Sequence, residues 1–357
     1  MKHDDLLKTV HFDRPDAVPV IFHINLSCWD HYPRRDLADL MAAHPSLFPQ
    51  GPPPYAEPGT AVPYPEWCIK GRPWKDPWGC IWETPVSGYI GAVTRHPLEN
   101  LEDMEAYEPP DPEHTTHWYP VAWKRGQSPS GGSIGFFDTL RSGEIGHGHT
   151  FLKLTDILGC QQALCGLHDE DPRVLRVLSM LEQFNLGLVR RFIEYGDVQW
   201  LGYAEDLGMQ IGPMISPQMF RDWILPVYRT IMEPAQRHGA VIHMHSDGDI
   251  RMLAEDLMKL PVQVLNIQDQ VNGIDWAAEH LKGRIAVDLD IDRQHITPAA
   301  SPDQVRQYII SVMERLHDPS GGLILTFGLY PGTPMENIKV LMDIMEEISL
   351  GRTSWSS

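Results

Sequence analysis

From about residue 130 onward, short apolar runs alternate with helical segments, and this alternation limits the possible folds more than any other feature of the chain. Four of the runs have the length of buried strands: VQWLGYA (198–204), VIHMHS (241–246), RIAVDL (284–289) and GLILTF (322–327). A strand–helix–strand order places consecutive strands parallel to one another, joined by right-handed crossovers. The sequence therefore predicts an α/β fold built on a parallel sheet.

The number of strands favours a closed barrel over an open sheet. Seven strands are predicted, starting near residues 18, 133, 198, 241, 263, 285 and 322. An eighth strand, which closure requires, is predicted between residues 30 and 60. A doubly wound open sheet would need a glycine-rich phosphate loop after an early strand, and the sequence has no such motif. We therefore predict a TIM (β/α)8-type barrel.

Capping residues and prolines predict where two of the longer helices begin and end. Asp171-Pro172 opens a helix with apolar residues at helical spacing, and Gly196 ends it. Ser216-Pro217 forms an N-cap and first turn for a helix that runs to residue 238. Pro226 and Pro234 should bend that helix or divide it.

Residues 45–130 differ in composition from the rest of the chain, being rich in Pro, Trp and Gly without a sustained helical period. Residues 74–93 alternate in the manner of a β-hairpin. We interpret 45–130 as an insertion in one domain that spans residues 1–357, with a separate domain as the alternative. The tryptophans of the early chain could form an apolar wall over the barrel mouth or pack the insertion onto the barrel: Trp29, Trp67, Trp74, Trp78 and Trp82.

Charge and cysteine content exclude several classes of protein. The 357 residues include 48 Asp and Glu against 29 Lys and Arg, a net charge of −19, which argues against nucleic acid or an anionic membrane as a partner. No apolar run approaches the roughly 20 residues that cross a bilayer. The five cysteines are an odd number without a CxxC spacing, which is typical of a reducing compartment. We expect a cytoplasmic protein, with Cys160 and Cys165 buried in a helix.

Polar residues gather where the predicted strands end, which is where barrel enzymes have their active sites. The clearest case is HMHSDGD (243–249), in which His243, His245 and Asp247 alternate and would face one side of an extended strand. Two imidazoles and a carboxylate suit a divalent metal such as Zn²⁺. The same residues could instead hydrogen-bond a substrate, or Asp247 could cap the next helix.

Other strand ends add candidates for catalysis and binding. Glu205 and Asp206 follow the strand 198–204, where paired carboxylates can provide a metal ligand and a general acid or base; helix capping is the structural alternative. The predicted metal ligands are Glu205, His245 and Asp247. The predicted catalytic residues are Asp206 and His245. The residues predicted to bind substrate are His23, Asn25, His243, Gln268 and Asp288.

Seven segments along the chain carry a resemblance to known proteins. They are FDRPDAVPVIF (12–22), DPWGCIWE (76–83), HPLENLEDMEAYEPPDP (96–112), YAEDLGMQIGPMISPQMFRDWILPVYRTI (203–231), HSDGDI (245–250), IDRQ (291–294) and PGTPMENIK (331–339). Together they resemble the uroporphyrinogen decarboxylase (URO-D) superfamily, in a divergent branch related to corrinoid-linked methyltransferases. The resemblance extends from about residue 10 to 350 and implies a barrel enzyme.

The resemblance also bears on which reaction to expect. True uroporphyrinogen decarboxylases carry an Arg-Gln pair at the end of the first strand, where this chain has Ile24-Asn25. Losing a guanidinium that binds substrate carboxylates argues against porphyrinogen decarboxylation. Corrinoid-linked methyltransferases bind zinc through His-x-Cys-Gly and a later cysteine, which align here with residues 245–248 and with Phe327. Oxygen and nitrogen ligands would replace sulfur, which suits a site that polarises an oxygen or nitrogen substrate.

What the resemblance implies is a methyltransferase that moves a methyl group from a small O- or N-methyl substrate to a corrinoid protein, with Zn²⁺ or another divalent metal at its site. A methoxylated aromatic, a methylamine and a small carboxylic acid all stay open as substrates. The first alternative is a decarboxylase of a small or tetrapyrrole-like carboxylic acid. The second is a small-molecule-binding barrel without catalysis. A homodimer is compatible with the resemblance.

Overall fold

Strands and helices alternate through most of the computed structural model, which describes residues 3–126 and 140–352. The strands, in chain order, are β1 (Val20–Ile24), β2 (Trp74–Lys75), β3 (Ile81–Glu83), β4 (Ala92–Arg95), β5 (Ser142–His147), β6 (Trp200–Glu205), β7 (Gly208–Met209), β8 (Gly212–Pro213), β9 (Val241–Ser246), β10 (Val264–Gln268), β11 (Ala286–Asp290) and β12 (Leu323–Leu329).

Helices connect the long strands. In chain order they are α1 (His3–Val10), α2 (Cys28–His31), α3 (Arg34–Ala43), α4 (Phe151–Leu158), α5 (Cys160–His168), α6 (Pro172–Gly196), α7 (Pro217–Met219), α8 (Leu225–His238), α9 (Ala254–Leu257), α10 (Asp269–Asn272), α11 (Ile274–His280), α12 (Ile296–Ala299), α13 (Pro302–Leu316) and α14 (Met335–Ser349). Within the described ranges, none of them is both long enough and apolar enough to span a bilayer.

The chain divides into two compact units. The terminal unit comprises Met1–Pro65, Val86–Tyr89 and Leu265–Ser357, and the central unit comprises Glu66–Pro85 and Ile90–Val264. In the terminal unit the strands are adjacent in the order β10, β11, β12, β1, and β12 is parallel to both β11 and β1. In the central unit the order is β5, β6, β9, and β6 is parallel to both neighbours.

The predicted α/β class with parallel strands is confirmed, and six predicted strands are present as β1, β6, β9, β10, β11 and β12. The strand predicted at 133–137 lies outside the described residues, and β5, a little further along, was not predicted. The eighth strand predicted between residues 30 and 60 is wrong. The chain there forms α3, which buries Leu37 and Met41 on one face at helical spacing, and a 3-10 turn at Pro54–Ala56.

The capping predictions for the two long helices are confirmed. The Asp171 side chain accepts a hydrogen bond from the N–H of Arg173 at the start of α6. Ser216 accepts from the N–H of Met219 at 3.1 Å. A division occurs just before Pro226, where a π-helical turn, Phe220–Ile224, separates α7 from α8, whereas Pro234 lies inside α8 and does not divide it. A π turn contains one more residue per hydrogen-bonded ring than an α turn and interrupts the regular ladder.

The predicted hairpin at 74–93 is confirmed, since β2 and β3 pair antiparallel and β4 adds a third strand. Lys153 of α4 explains how this small sheet packs. Its fully buried ammonium group lies 3.1 Å from Asp76 and 3.2 Å from Asp156. It also lies 5.0 Å and 4.9 Å from the ring centroids of Trp82 and Trp118. Of the five predicted tryptophans, Trp82 therefore packs the insertion onto α4, as in the second of the two interpretations.

The prediction that Cys160 and Cys165 are buried is wrong, because both are exposed on α5. The helix itself is present. It buries a different face, formed by Ala163, Gly166 and Leu167. Both cysteines lie outside that apolar face. The face of the helix on which a cysteine lies determines whether it is buried, so these two are exposed.

Candidate metal centre

The middle strand of the central unit, β6, carries a small residue between two histidines. Ala204 is in register with His147 of β5 on one side and with His245 of β9 on the other. In-register residues of parallel strands point to the same face of the sheet, so the two imidazoles flank only a methyl group. The large side chains of Leu201 and Tyr203 alternate with it and are fully buried on the opposite face.

Asp206 completes a three-residue cluster. It follows Ala204 by two positions, which returns its side chain to the face of the histidines. Its Oδ1 lies 3.1 Å from His147 Nε2 and 3.5 Å from His245 Nε2. One ligand atom from each of the three residues lies within 4.8 Å of the other two. The side chains are 33%, 31% and 22% exposed for His147, Asp206 and His245, so a small ion or molecule has access to them.

This donor set fits a divalent metal ion. Two imidazole nitrogens and one carboxylate oxygen are ligands that Zn²⁺ and other first-row metals accept. Three protein ligands also leave a coordination position for water or substrate, as catalytic sites do. Of the predicted ligands, only His245 belongs to the cluster. His147 and Asp206 occupy the places that the sequence analysis assigned to Glu205 and Asp247.

The electrostatics of the cluster favour ligation by Asp206 over proton transfer. Burial disfavours its charged form, but the hydrogen bonds and charges of His147 and His245 outweigh burial and hold the pKa of Asp206 well below its ordinary value. Burial also opposes protonation of His147, and the contact with Asp206 outweighs it and raises the pKa of His147. A group ionised throughout the neutral range is a poor proton donor. The lowered pKa therefore favours ligation by Asp206, and its role as a catalytic residue stays a prediction.

Asp247 lies beside the cluster and holds part of it in place. Its Oδ1 is 3.7 Å from His245 Nε2. Its backbone N–H donates to Asp206 Oδ1 over 3.3 Å. Asp247 thus adjoins His245 as predicted, and its peptide group also orients the carboxylate of Asp206.

Glu205 faces away from the cluster, onto the start of α4. Its carboxylate is fully buried and accepts hydrogen bonds from the N–H groups of Thr150 at 2.6 Å and Phe151 at 2.9 Å. The hydroxyl of Tyr228 donates to it at 2.9 Å. Burial raises the pKa of Glu205 to about 7, against the effect of these donors. Both carboxylate oxygens are engaged at a helix start, so the structure favours the capping alternative over metal ligation by Glu205.

Replacing Glu205 with Ala should lower the free energy of unfolding by about 2–5 kcal/mol, because three buried donors would lose their acceptor. Chemical denaturation measures this loss, and Glu233→Ala, at a half-exposed glutamate of α8, is the matched control. Glu205→Gln should retain the metal content of the wild type per folded chain. A metal-free Glu205→Gln protein that is fully folded would show that Glu205 is a ligand after all.

Glu144 and His243 lie on the same face of the sheet, one layer before the cluster in the strand direction, and both are in register with Gly202. A Cβ on Gly202 would lie 3.2 Å from Cγ of Glu144, so the glycine gives this side chain its room. The ring of His243 lies 5.4 Å from that of Trp200. Burial raises the pKa of Glu144, although the neighbouring histidines oppose the shift.

His147 and Glu144 were missed by the sequence analysis because β5 does not read as a buried strand. Gly143 belongs to a glycine-rich run, and its Cβ would come within 2.5 Å of the Phe192 ring, so the close packing of α6 requires a glycine there. One signal was present. His147-Gly148-His149 has the same alternating spacing as His243 and His245.

In the terminal unit, two of the predicted substrate-binding residues, His23 and Asp288, interact electrostatically. His23 is half-buried on β1, and burial lowers its pKa to about 4; the charge of Asp288 opposes this shift and that of Arg293 adds to it. Asp288 accepts a hydrogen bond from Thr326 Oγ1 at 2.6 Å. Arg293, which was not predicted, donates to Asp290 at 2.7 Å and lies 5.4 Å from the Tyr330 ring centroid.

The other two predicted binding residues hold local turns. Asn25 Oδ1 accepts from the N–H and the hydroxyl of Ser27 at 2.9 and 2.6 Å, and Asn25 Nδ2 donates to the carbonyl of Gly88 at 3.0 Å. Gln268 is half-buried at the end of β10, where its carbonyl accepts from Asn272 Nδ2. The side chain of Asn25 thus binds Gly88, and its contact with substrate stays a prediction.

Comparison with solved structures places the chain in the TIM-barrel class that was predicted. It matches a methyltransferase from Methanosarcina mazei with a TM-score of 0.57 and 16% sequence identity, over 96% of this chain and 97% of that one. The family model for uroporphyrinogen decarboxylase (URO-D) matches residues 157–348, slightly more than half of the chain. The chain belongs to the URO-D family. A comparison with curated proteins gave no match.

Proposed function

We propose that this protein is a methyltransferase that moves a methyl group from a small O- or N-methyl substrate to a corrinoid carried by a partner protein. One observation carries the proposal: His147, Asp206 and His245 meet at the C-terminal ends of three adjacent parallel strands, in a geometry suited to a divalent metal. Membership of the URO-D family and the fold shared with a methyltransferase support it.

The residues of the central unit divide between holding the metal and orienting the substrate. His147, Asp206 and His245 would hold Zn²⁺ or another divalent ion, which supplies a Lewis acid for the heteroatom of the substrate. The backbone N–H of Asp247 fixes the carboxylate of Asp206. His243 lies on the same face as the ligands and is proposed to orient the substrate.

Besides the methylated substrate and the reduced corrinoid, the transfer consumes only water. The bond between the methyl carbon and the heteroatom breaks, and its electron pair stays on the heteroatom. The reduced, monovalent cobalt of the acceptor provides the electron pair of the new cobalt–carbon bond. Water protonates the heteroatom, which leaves as an alcohol, a phenol or an amine.

Transfer to free cob(I)alamin tests the proposal directly. The metal-loaded protein is incubated without oxygen with a panel of methoxylated aromatics and methylamines, and the cob(I)alamin absorbance is followed. We expect methylcobalamin to form with at least one substrate class and a demethylated product in equal amount. Release of CO₂ from a carboxylic acid panel without methylcobalamin would favour the decarboxylase alternative, and no turnover of either kind would favour a binding barrel.

The protein should not decarboxylate uroporphyrinogen. Ile24 and Asn25 stand where decarboxylases of the family carry Arg and Gln, and the Asn25 amide is engaged with Ser27 and Gly88. Neither Ile24 nor Asn25 therefore supplies the guanidinium that binds a propionate or acetate group in those enzymes. Chromatography of products should show coproporphyrinogen only at the level of an enzyme-free control. Its accumulation with purified protein would contradict this prediction.

A further inference from the structure

The loops that follow β6 and β9 hydrogen-bond to each other through their backbones. The N–H of Gly208 donates to the carbonyl of Asp247 at 3.2 Å, and the N–H of Asp249 donates to that of Met209 at 2.7 Å. Asp206 begins the first loop, and His245 lies just before the second. The pairing of the two loops therefore helps to set the distance between these two candidate ligands.

Ser246 joins the loops through its side chain. It is fully buried and lies on the strand next to His245, so its side chain points to the opposite face of the sheet. Its hydroxyl accepts a hydrogen bond from the N–H of Leu207 at 2.9 Å and donates to the carbonyl of Asp247 at 3.1 Å. The peptide that follows Asp206 is thereby attached to the peptides that follow His245.

Two glycines allow the loops to approach this closely. A Cβ on Gly248 would lie 2.1 Å from the carbonyl carbon of Gly208, and one on Gly208 would lie 2.5 Å from the nitrogen of Asp249. Gly248 also has a φ of +80°, which residues with a side chain rarely adopt. The contact between the loops is therefore tight, and the Ser246 hydroxyl lies within it.

We propose that Ser246 is a positioning residue that sets the affinity of the metal centre. It contributes no ligand atom to the cluster of His147, Asp206 and His245. It acts by fixing the backbone on each side of the candidate ligands, which a hydroxyl can do because it both accepts and donates. This inference rests on the metal centre of the proposed function. Groups that orient ligands from outside the coordination sphere affect metal affinity about 10–100-fold.

Titration of the metal-free protein with Co²⁺ tests the inference, with visible absorption as the readout. Ser246→Ala should weaken Co²⁺ binding about 10–100-fold and alter the absorption bands that report ligand geometry. Ser216→Ala removes a hydroxyl that caps α7 and should leave both properties as in the wild type. Ser246→Cys keeps nearly the volume of serine, but its thiol is a weaker donor and acceptor than the hydroxyl. It should weaken Co²⁺ binding to a smaller degree than Ser246→Ala, and it provides the test if Ser246→Ala fails to fold.

Co²⁺ affinity within twofold of the wild type in a folded Ser246→Ala or Ser246→Cys protein would overturn the inference while leaving the metal centre intact. If the Ser246 variants bind Co²⁺ more weakly but the wild-type protein transfers no methyl group, the inference would be supported and the proposed function contradicted. A wild-type protein that binds no Co²⁺ would overturn both.

Discussion

Replacing His245 with Ala is expected to reduce methyl transfer about a thousandfold or more, because the loss of a metal ligand removes several kcal/mol of transition-state stabilisation. The fold should survive. His245 is partly exposed at a strand end, and its neighbours Met244 and Ser246, not its own ring, contribute to the buried core. Steady-state assays with cob(I)alamin as acceptor measure the loss, and far-ultraviolet circular dichroism checks the fold.

His168→Ala provides the matched control for this variant, since His168 is exposed at the end of α5 and distant in sequence from the strand ends. It should transfer methyl groups at the wild-type rate. Full activity in His245→Ala would show that the imidazole has no part in the reaction. It would leave hydrogen bonding among the strand-end residues as the better account of the cluster.

Replacing Lys153 with Met is expected to lower the free energy of unfolding by about 3–5 kcal/mol, since removing one partner of a buried ion pair leaves the other charge uncompensated. The ammonium group is completely buried between Asp76 and Asp156 and under two tryptophan rings. The nearby acids raise the pKa of Lys153 although burial opposes them, so the lysine is charged in the folded protein. Denaturation with urea measures the change.

Lys339→Met is the control for the charge change, because Lys339 is 59% exposed and its ion pair with Asp343 on α14 is accessible to water. It should change the free energy of unfolding by less than about 1 kcal/mol. A loss of similar size in both variants would mean that the buried site around Lys153 has no special role. Adding Asp76→Asn to Lys153→Met should recover part of the stability, since it removes the uncompensated carboxylate.

The strands that the sequence predicted correctly are those whose apolar residues identify them without knowledge of their neighbours. β1 and β12 are of this kind, being apolar over most of their length. β5 could not be predicted in this way. Its glycines serve contacts with other elements, such as that of Gly143 with Phe192, and such contacts are not encoded in the local pattern. The strand is identified only by its pairing with β6.

The candidate site was predictable to the extent that it lies on one strand. The alternation of His243 and His245 indicates a shared face, and the structure places both on that face. Whether Glu205 or Asp206 joins them depends on the phase of β6, because adjacent residues of a strand face opposite sides. The sequence does not determine which of the two adjacent carboxylates faces the histidines. His147 joins the site through the register of β5, which no local pattern specifies.

The metal content of the wild-type protein and of His147→Ala, measured by elemental analysis after exposure to Zn²⁺ and gel filtration, is the most direct test of the central claim. His147 is the residue that only the structure assigns to the cluster, and its Nε2 lies 3.1 Å from Asp206. The account predicts one divalent ion per wild-type chain and a small fraction of that in the folded variant. Equal metal content in the two proteins, or none in the wild type, would contradict it.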